Sequence, residues 1–463
     1  MNKFPQRRIF FKKPRTSIYR AFLWVFLIIA GIYILRSIDI GAMRSPFEPT
    51  PTPTRTAYSY ALEGDALFTV GQIEDAITAY SQAVRIDPNA AEIWGKLARI
   101  QTYSSASMTT DEQRRVRLQE ALISARKAVE LAPEGSTAHA ILALVLDWNA
   151  NPIYVGDKAP EYLAEAEKEA GRARALDSTN TLALAFYAEI LTDGQNLDQA
   201  QAFIEQAVQI DPSLMDVHRV YAYVLESTGQ YRKAIEEYDK AIAINPNLTF
   251  LMVRAGAIYR HLQDYVNSLQ YFDRAAKLNE KLGIKDPTPN LSIAKTYSQQ
   301  GEFFAAARNV LKALSYDQAN ADTYGQLGIV FFKSRNYEGS ILPLKCAVKG
   351  CTAQESCDAR NGCDAAAGES GVEVRGLELS PNSVVYYYTY GSVLSALSRP
   401  QQNYCPEALS VFAEVRQAFG TDPNIMPIVQ AGEDICRGLA EKMVTPLPST
   451  PTNTPEVTLT TAP

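Results

Sequence analysis

The sequence predicts an all-α protein in which about nine consecutive helix pairs and a capping helix follow one N-terminal membrane helix. Three observations lead to this prediction. Segments of about 34 residues repeat one pattern between residues 57 and 442. Each of the clearest segments contains two amphipathic stretches separated by a short turn. Near the N-terminus, a basic stretch precedes an uninterrupted apolar run.

Residues 1–20 form a basic N-terminus, and residues 21–38 form a candidate transmembrane helix. The first 20 residues contribute +7 to the net charge of −6, which leaves −13 for the remainder. The apolar run Ala21–Leu35 is short for a bilayer span, but Arg20 and Arg36 can snorkel toward the interfaces and lengthen it. The basic flank predicts a cytoplasmic N-terminus and an extracytoplasmic bulk of the chain, in a single-pass cell-membrane protein.

The same apolar run also fits the core of a cleaved signal peptide. Cleavage needs small residues at the cut, and the best candidate, Ile40–Ala42, matches that requirement poorly. We therefore expect an uncleaved signal-anchor, with cleavage as the alternative. Both versions place the acidic remainder outside the cytoplasm, and its charge argues against nucleic-acid binding.

Thr/Pro-rich segments flank the repeats. Residues 39–56 include alternating Pro and Thr, which favour extended polyproline II, so we interpret this segment as a stalk. Residues 443–463 have the same composition, and we expect a disordered tail there.

The first repeat, Ser59–Asn89, shows the pattern clearly. Gly71 ends its first predicted helix and Pro88 its second. Small residues such as Gly64 let the two helices approach closely, while Tyr80 fills the space between them. The first repeat is therefore a helix, a turn and a second helix.

This pattern resembles the tetratricopeptide repeat (TPR), a helix-turn-helix unit of about 34 residues with small and aromatic residues at fixed positions. A clear copy supplies Tyr221, Ala222, Leu225, Gly229, Ala234, Tyr238, Ala241 and Pro246. Another supplies Leu184, Tyr187, Ala188, Leu191, Ala200, Ile204, Ala207 and Pro212. A further copy has Leu327, Gly328, Phe331, Tyr337, Leu344 and Ala347.

The resemblance implies a right-handed α-solenoid of about nine TPR units plus a capping helix. Repeats one to eight occupy residues 57–349, and the ninth repeat and cap occupy 377–442. The second and third repeats hold extra residues, at 104–114 and 149–160. The alternative is a helical bundle or a solenoid of another type.

In this family the first helix of each pair lines a concave groove that binds peptides or partner helices. The corresponding positions here are Arg219, Tyr223, Phe250, Arg260, His261, Lys295, Phe332, Lys333 and Tyr388. The basic members predict a groove for an acidic or carboxylate-ended peptide. The alternative is that they are ordinary solvated surface residues.

Searches for catalytic chemistry find no supporting motif. The sequence contains no Gly-rich phosphate loop, GxSxG or HExxH, and its three histidines lie in separate repeats. We therefore expect no enzymatic activity, no cofactor, no bound metal and no small-molecule substrate.

All six cysteines lie after residue 345. The spacing of Cys346, Cys351, Cys357 and Cys363 is wider than that of typical zinc pairs, and an even count in an oxidising compartment favours disulfides. Free thiols, which would require the opposite topology, and a metal site remain alternatives.

The repeat register favours one particular pair of cysteines. Cys405 begins the second helix of the ninth repeat, and Cys436 lies near the end of the antiparallel capping helix, which predicts a bridge between them. A Cys-rich insertion at residues 350–376 is held by local bridges among the other four cysteines, whose three possible pairings stay open.

We interpret the protein as a membrane-tethered extracytoplasmic scaffold that binds a protein or peptide partner in its groove. Two alternatives belong to other classes. One is a structural assembly factor of a cell-envelope complex, and the other is a cell-wall or carbohydrate-binding protein with glycosylated Thr/Pro tails. Fold alone distinguishes none of them.

Overall fold

The computed structural model describes residues 17–40, 55–360, 362–363 and 370–444. Four predicted segments lie wholly or partly outside these residues: the basic N-terminus (1–16), the stalk (41–54), the Cys-rich insertion (361 and 364–369) and the tail (445–463). The chain divides into two compact units, residues 1–55 and residues 56–463.

The first unit contains one apolar helix, α1 (Ile18–Asp39). The helix begins three residues before the predicted residue 21, because Ile18, Tyr19 and Arg20 continue the same helical stretch. Within it, Ile18–Ser37 has a mean hydropathy of 2.2, and its large apolar side chains are exposed. Length and composition therefore make α1 a candidate membrane span.

The described part of the second unit consists of nine helix pairs and a final helix, with no strand. The first four pairs are α2 (Ala57–Thr69) with α3 (Ile73–Ile86), α4 (Ala91–Ser104) with α5 (Asp111–Leu131), α6 (Ser136–Asn149) with α8 (Ala159–Leu176), and α9 (Thr181–Asp193) with α10 (Leu197–Ile210). A short helix, α7 (Pro152–Val155), lies inside the third. The next four are α11 (Met215–Ser227) with α12 (Tyr231–Ile244), α13 (Thr249–His261) with α14 (Tyr265–Leu282), α15 (Thr288–Gln300) with α16 (Phe303–Tyr316), and α17 (Ala321–Lys333) with α18 (Tyr337–Val348). After α19 (Ala353–Ala359) come the ninth pair, α20 (Val384–Leu397) with α21 (Cys405–Phe419), and α22 (Met426–Val444).

Each helix packs against its own partner and against the next pair, so the apolar core runs along the stack. This packing confirms the predicted fold class, an α-solenoid of about nine helix pairs with a final helix after one apolar N-terminal helix. The ninth pair stacks on the eighth through α18 and α20, although the Cys-rich insertion separates these helices in sequence.

The turn of the first pair shows how the sequence fixes both local and long-range geometry. Thr56 caps α2 by accepting a hydrogen bond from the Ser59 amide (3.2 Å). Gly71 has φ +83°, and a Cβ atom there would lie 2.2 Å from the carbonyl oxygen of Asn247. The predicted helix-ending glycine therefore also allows the first turn to touch the loop between α12 and α13.

A recurring contact anchors the start of three first helices. The ring nitrogens of Trp94, His139 and His218 each lie 2.8–2.9 Å from a proline carbonyl oxygen six residues earlier. The carbonyl oxygen of the proline that ends one repeat thus accepts a hydrogen bond from the first helix of the next repeat. This contact gives the two histidines a structural role that the search for metal ligands did not find.

The insertion after α18 returns to the solenoid through a small antiparallel bridge. The backbone groups of Cys351 and Val374 exchange two hydrogen bonds of 2.9 Å each. The Leu377 amide then donates to the Ala347 carbonyl (2.8 Å), close to where the insertion began. The insertion therefore leaves and re-enters the solenoid at one point.

Candidate functional site

A segment after α4 crosses the interior of the helical stack. We call Ser105–Thr110, which belongs to the extra residues of the second repeat, the bridging segment. Thr288 donates its hydroxyl to the Ser107 carbonyl (3.2 Å), and the Asn320 side chain donates to the Thr109 hydroxyl. The second repeat therefore contacts the seventh and eighth repeats directly.

The contacts continue at the first residue of α5. The Ser380 hydroxyl and the Asn382 side-chain amide each donate to a different oxygen of Asp111, both at 2.7 Å. Ser380 and Asn382 precede α20, so this carboxylate ties the second repeat to the start of the ninth. The bridging segment contributes lining residues to two cavities.

The first cavity has a volume of about 550 Å³, and we call it the basic cavity. It contains three of the predicted groove residues, Arg260, Lys295 and Lys333, from three successive first helices. Further residues that line it include Met108, Arg114, Thr288, Ser292, Asp322, Gln326 and Tyr386.

The cations of this cavity repel one another and lack carboxylate partners. Among the described residues, no carboxylate oxygen lies within 4.0 Å of a side-chain nitrogen of Arg260, Lys295 or Lys333. Desolvation and the charges of Arg260 and Lys333 lower the pKa of Lys295. Desolvation also lowers the pKa of Arg260, whose guanidinium donates to the Ser292 carbonyl (3.3 Å). An anion placed in the cavity would relieve this repulsion.

One carboxyl group, that of Asp322, also lines the basic cavity. It accepts hydrogen bonds of 2.8 Å from the Tyr386 hydroxyl and from the Gln326 side chain. Burial raises the pKa of Asp322, although both hydrogen bonds oppose that shift. Its two oxygens are hydrogen-bonded to neutral donors, and its charge only partly opposes the lowering of the Lys295 pKa. The three cations therefore outnumber the one carboxyl group that lines the cavity with them.

The second cavity has a volume of about 670 Å³, and we call it the acidic cavity. It contains the predicted groove residues Arg219, Tyr223 and Phe250. The acidic lining residues are Asp147, Glu189, Asp193 and Asp286, and the aromatic ones are Trp148, Tyr154, Tyr223, Tyr238 and Phe250. Arg114 and Thr288 line both cavities, so the two are neighbours.

Arg219, one of the basic residues predicted to line the groove, is buried, since only 6% of it is exposed. Its guanidinium donates two hydrogen bonds to Glu189, at 2.8 and 2.6 Å, and lies 5.2 Å from the ring centroid of Tyr103. Phe250 contacts the same tyrosine ring at 5.7 Å. These two groove positions therefore contribute largely to internal packing.

Three further groove candidates line neither of these two cavities. His261 is exposed and lies against the ring of Tyr231 at 4.8 Å. Phe332 packs against Tyr337 at 5.7 Å. Tyr388 is half-buried, and burial raises its pKa. The structure thus divides the nine predicted groove residues into two cavity groups and three separate positions.

Sequence reasoning did not select Asp147, Glu189, Asp193 or Arg114, which the structure places in the cavities. The sequence did contain a signal for this site, namely the extra residues of the second and third repeats. The bridging segment lines both cavities, and four of the extra residues of the third repeat line the acidic cavity: Ala150, Asn151, Pro152 and Tyr154. Insertions in a repeat array often carry its binding face.

The six cysteines form three disulfide bonds. Cys346 in α18 is bonded to Cys351, Cys357 in α19 is bonded to Cys363, and Cys405 is bonded to Cys436. Only the last bond joins two different helices of the solenoid, α21 and α22. Among the described residues, no group of three or more histidine, cysteine or acidic side chains is arranged to hold a metal ion.

Comparison with known families identifies repeats in three places. A TPR repeat model matches residues 64–101, and two tetratricopeptide repeat models match residues 183–214 and 216–248. These ranges fall on α2 to α4, on α9 with α10, and on α11 with α12. The matches therefore coincide with helix pairs of the structure.

Two curated relatives are similar over part of their length. Anaphase-promoting complex subunit 3 of Schizosaccharomyces pombe is 27% identical over 121 residues, which cover 26% of this chain and 18% of the relative. Type IV pilus assembly protein PilF of Pseudomonas aeruginosa is 26% identical over 162 residues, which cover 34% and 60%. This chain thus spans less than two thirds of either relative.

Among solved structures, the APC/C hetero-tetramer Cut9–Hcn1 has a TM-score of 0.45 and 14% identity, covering 67% of this chain and 54% of the other. The family matches fall on helix pairs that stack as the repeat pattern requires. The chain belongs to the tetratricopeptide-repeat superfamily.

Proposed function

We propose that this protein is a membrane-tethered, extracytoplasmic scaffold that captures an acidic segment of a partner protein in its basic cavity. It acts by binding rather than by catalysis. The observation that carries the proposal is the grouping of Arg260, Lys295 and Lys333 around one cavity without carboxylate partners.

The tether is supported by α1 and by the charges that precede it. A 20-residue apolar stretch is long enough to cross a bilayer, and seven basic residues within positions 1–20 favour a cytoplasmic N-terminus. Three disulfide bonds fit an oxidising compartment. Residues 39–56 then act as a stalk between the membrane and the repeats.

Topology is tested by thiol labelling of intact cells with a membrane-impermeant maleimide. We expect no labelling of the six cysteines before reduction. After reduction with an impermeant phosphine we expect labelling of Cys363, the least buried of the six, and labelling of all six once the reduced protein is denatured. Labelling only after the cells are lysed would place the repeats in the cytoplasm and overturn the extracytoplasmic part of the proposal.

Capture of an acidic segment follows from the electrostatics of the basic cavity. Three cations held close together in a partly desolvated space interact more strongly with an anion than scattered surface charges do. A volume of about 550 Å³ accommodates a short peptide terminus, since binding cavities for small ligands span about 300–1,000 Å³. A side-chain carboxylate or a C-terminal carboxylate would bridge these side chains.

The binding test uses the full chain in detergent and a fluorescent peptide that ends in three aspartates. The double variant Lys295→Glu/Lys333→Glu should weaken its binding about tenfold or more, because it replaces two attractive charges by repulsive ones. The matched control is Lys233→Glu/Lys281→Glu, which makes the same change in net charge at exposed positions of α12 and α14.

Two results would contradict the proposal. In one, the cavity variant and the control lose the same affinity, which would mean that net charge alone attracts the peptide. In the other, the wild-type protein binds an uncharged peptide of the same length equally well.

A second candidate function is the assembly of a cell-envelope complex. The name of the partial relative, a type IV pilus assembly protein, favours this version, in which the solenoid is a fixed component rather than a transient receptor. Co-purification from membranes distinguishes the two. A complex of constant stoichiometry that survives high salt favours the assembly role, and salt-sensitive capture favours the basic cavity.

A further inference from the structure

The acidic cavity contains a carboxyl pair, Asp147 and Asp193, that forms no ion pair with any of the described residues, although the charge of Arg219 acts on Asp147. Asp147 lies in α6 and Asp193 is the last residue of α9, which packs against α6. Only 6% of Asp147 is exposed, yet neither of its carboxyl oxygens accepts a hydrogen bond from any described residue. Asp193 is exposed and accepts a hydrogen bond from the Tyr223 hydroxyl.

The arginines that line this cavity are engaged elsewhere. Arg219 donates to Glu189, and Arg254 donates to Glu226 at 2.9 Å. Arg114 donates to the Met108 carbonyl at 2.9 Å. None of these guanidinium groups forms an ion pair with Asp147 or Asp193 within the described residues.

Two neighbouring carboxyl groups in a desolvated site cannot both ionise without a compensating charge. Burial, followed by the charges of Asp193 and Glu189, raises the pKa of Asp147 well above its usual range. Burial also raises the pKa of Asp193. Without a ligand, a proton on Asp147 that is shared with Asp193 satisfies the pair. A bound cation would take the place of that proton and would be accepted by both carboxyl groups.

Aromatic side chains around the pair favour an organic cation. Trp148, Tyr154, Tyr223 and Phe250 line the same cavity. Ring faces attract ammonium and guanidinium groups, and the acceptors for their N–H donors are the two carboxyl groups. The absence of a third ligating side chain in the described residues argues against a bare metal ion.

We propose that Asp147 and Asp193 form a binding site for the ammonium or guanidinium group of a lysine or arginine side chain of the partner. This proposal rests on the proposed function, because it assigns a second contact to the same partner segment. The acidic and basic cavities adjoin at Arg114 and Thr288. The preferred segment thus carries a basic residue near its acidic residues.

The test measures binding of two uncharged-ended peptides, acetyl-Gly-Lys-Gly-amide and its norleucine counterpart, to the full chain in detergent by calorimetry. Norleucine keeps the apolar side chain and lacks the charge. We expect the lysine peptide to bind about tenfold or more tightly, the range of a charge-assisted hydrogen bond. Asp147→Asn and Asp193→Asn should each abolish that difference, whereas Asp198→Asn on the exposed face of α10 should keep it.

Each variant is checked for native helicity, and Asp193→Asn serves if Asp147→Asn fails to fold, because Asp193 is exposed. Equal binding of the two peptides to the wild type, or an unchanged preference in both variants, would overturn the proposal. Butylamine that binds as tightly as the lysine peptide would show that the ligand is a free amine and would overturn the assignment to a partner protein. The acidic peptide separates the two proposals: its binding depends on Lys295 and Lys333 and should persist in Asp193→Asn.

Discussion

Arg219 and Glu189 form a buried ion pair between two first helices, α11 and α9. Two parallel hydrogen bonds of 2.8 and 2.6 Å join the guanidinium to the carboxylate, and the Trp148 indole donates to the same carboxylate at 3.1 Å. The pair lies where the fourth and fifth repeats meet, so it holds the wall of the acidic cavity.

Replacing Arg219 by methionine should lower the free energy of unfolding by about 3–5 kcal/mol, because Glu189 would remain buried without its partner. Urea denaturation followed by circular dichroism measures this change. The double variant Arg219→Met/Glu189→Leu should recover much of the loss. A double variant as unstable as Arg219→Met would mean that lost packing, rather than an unpaired charge, causes the effect.

The disulfide bond between Cys405 and Cys436 should stabilise the end of the solenoid. It closes a separation of 31 residues and joins α21 to α22, the last helix of the described residues. Replacing both cysteines by serine should destabilise α22 locally by about 3 kcal/mol and speed its amide exchange about hundredfold. Hydrogen exchange followed by mass spectrometry measures the exchange rate of the α22 amides.

The matched control for that bond is Cys357→Ser/Cys363→Ser. This pair spans six residues within the insertion, so its loss should leave amide exchange in α22 unchanged. Equal acceleration of α22 amide exchange in both double variants would show that losing either disulfide bond destabilises the whole fold rather than α22 alone.

His218 should make stability dependent on pH near neutrality. Its Nδ1 lies 2.6 Å from Glu237 and its Nε2 lies 2.8 Å from the Pro212 carbonyl; because both partners are acceptors, both ring nitrogens donate. The hydrogen bond with Glu237 raises the pKa of His218 despite desolvation. The stabilisation is therefore fully present below the unfolded-state pKa of about 6.5 and is lost as the pH rises through the higher folded-state pKa.

Comparing the free energy of unfolding of wild type and His218→Gln between about pH 5.5 and 8.5 tests this sign. The difference between the two proteins should shrink as the pH rises. A difference that grows with pH would contradict the assigned protonation state.

Gly256 marks a close approach of α13 to its partner helix α14. A Cβ atom at this position would lie 2.7 Å from the ring of Phe272, which is fully buried. Gly256→Ala should therefore cost about 1–3 kcal/mol through overpacking. Gly171→Ala, in the interior of α8 with no atom within 4 Å, should instead stabilise the protein by about 0.5–1 kcal/mol. Thermal denaturation measures the melting temperatures of both variants. Shifts of the two melting temperatures in the same direction would contradict this account.

The helix pairs were predictable because their determinants are local. Gly71, Pro88 and the small residues at helix contacts each define a helix end or a helix contact within one repeat, whatever further contacts they make in the folded stack. The grouping of Arg260, Lys295 and Lys333 was only partly predictable, since repeat position gives the face of a helix but not the cavity to which it belongs.

The position of Arg219 inside an ion pair was not predictable from repeat position. Its partner, Glu189, lies 30 residues earlier, on the preceding first helix, where no motif marks it. The path of the bridging segment depends on how tightly the whole stack is wound, which no single repeat determines. Its extra residues were visible in the sequence, but their partners, at Thr288 and Asn320, were not.

The bridging segment changes the mechanics of the repeat array. In an ordinary array each repeat contacts only its neighbours. The array is therefore elastic, and each repeat can fold as soon as it and its neighbour have been synthesised. Here hydrogen bonds join residues that are 181, 211 and 269 positions apart. The contacts of the second repeat are therefore complete only after the ninth repeat has folded. This dependence raises the contact order and slows the last folding step. Once formed, these hydrogen bonds fix the pitch of the solenoid. A pulling force would have to break them before it could extend the stack of helices.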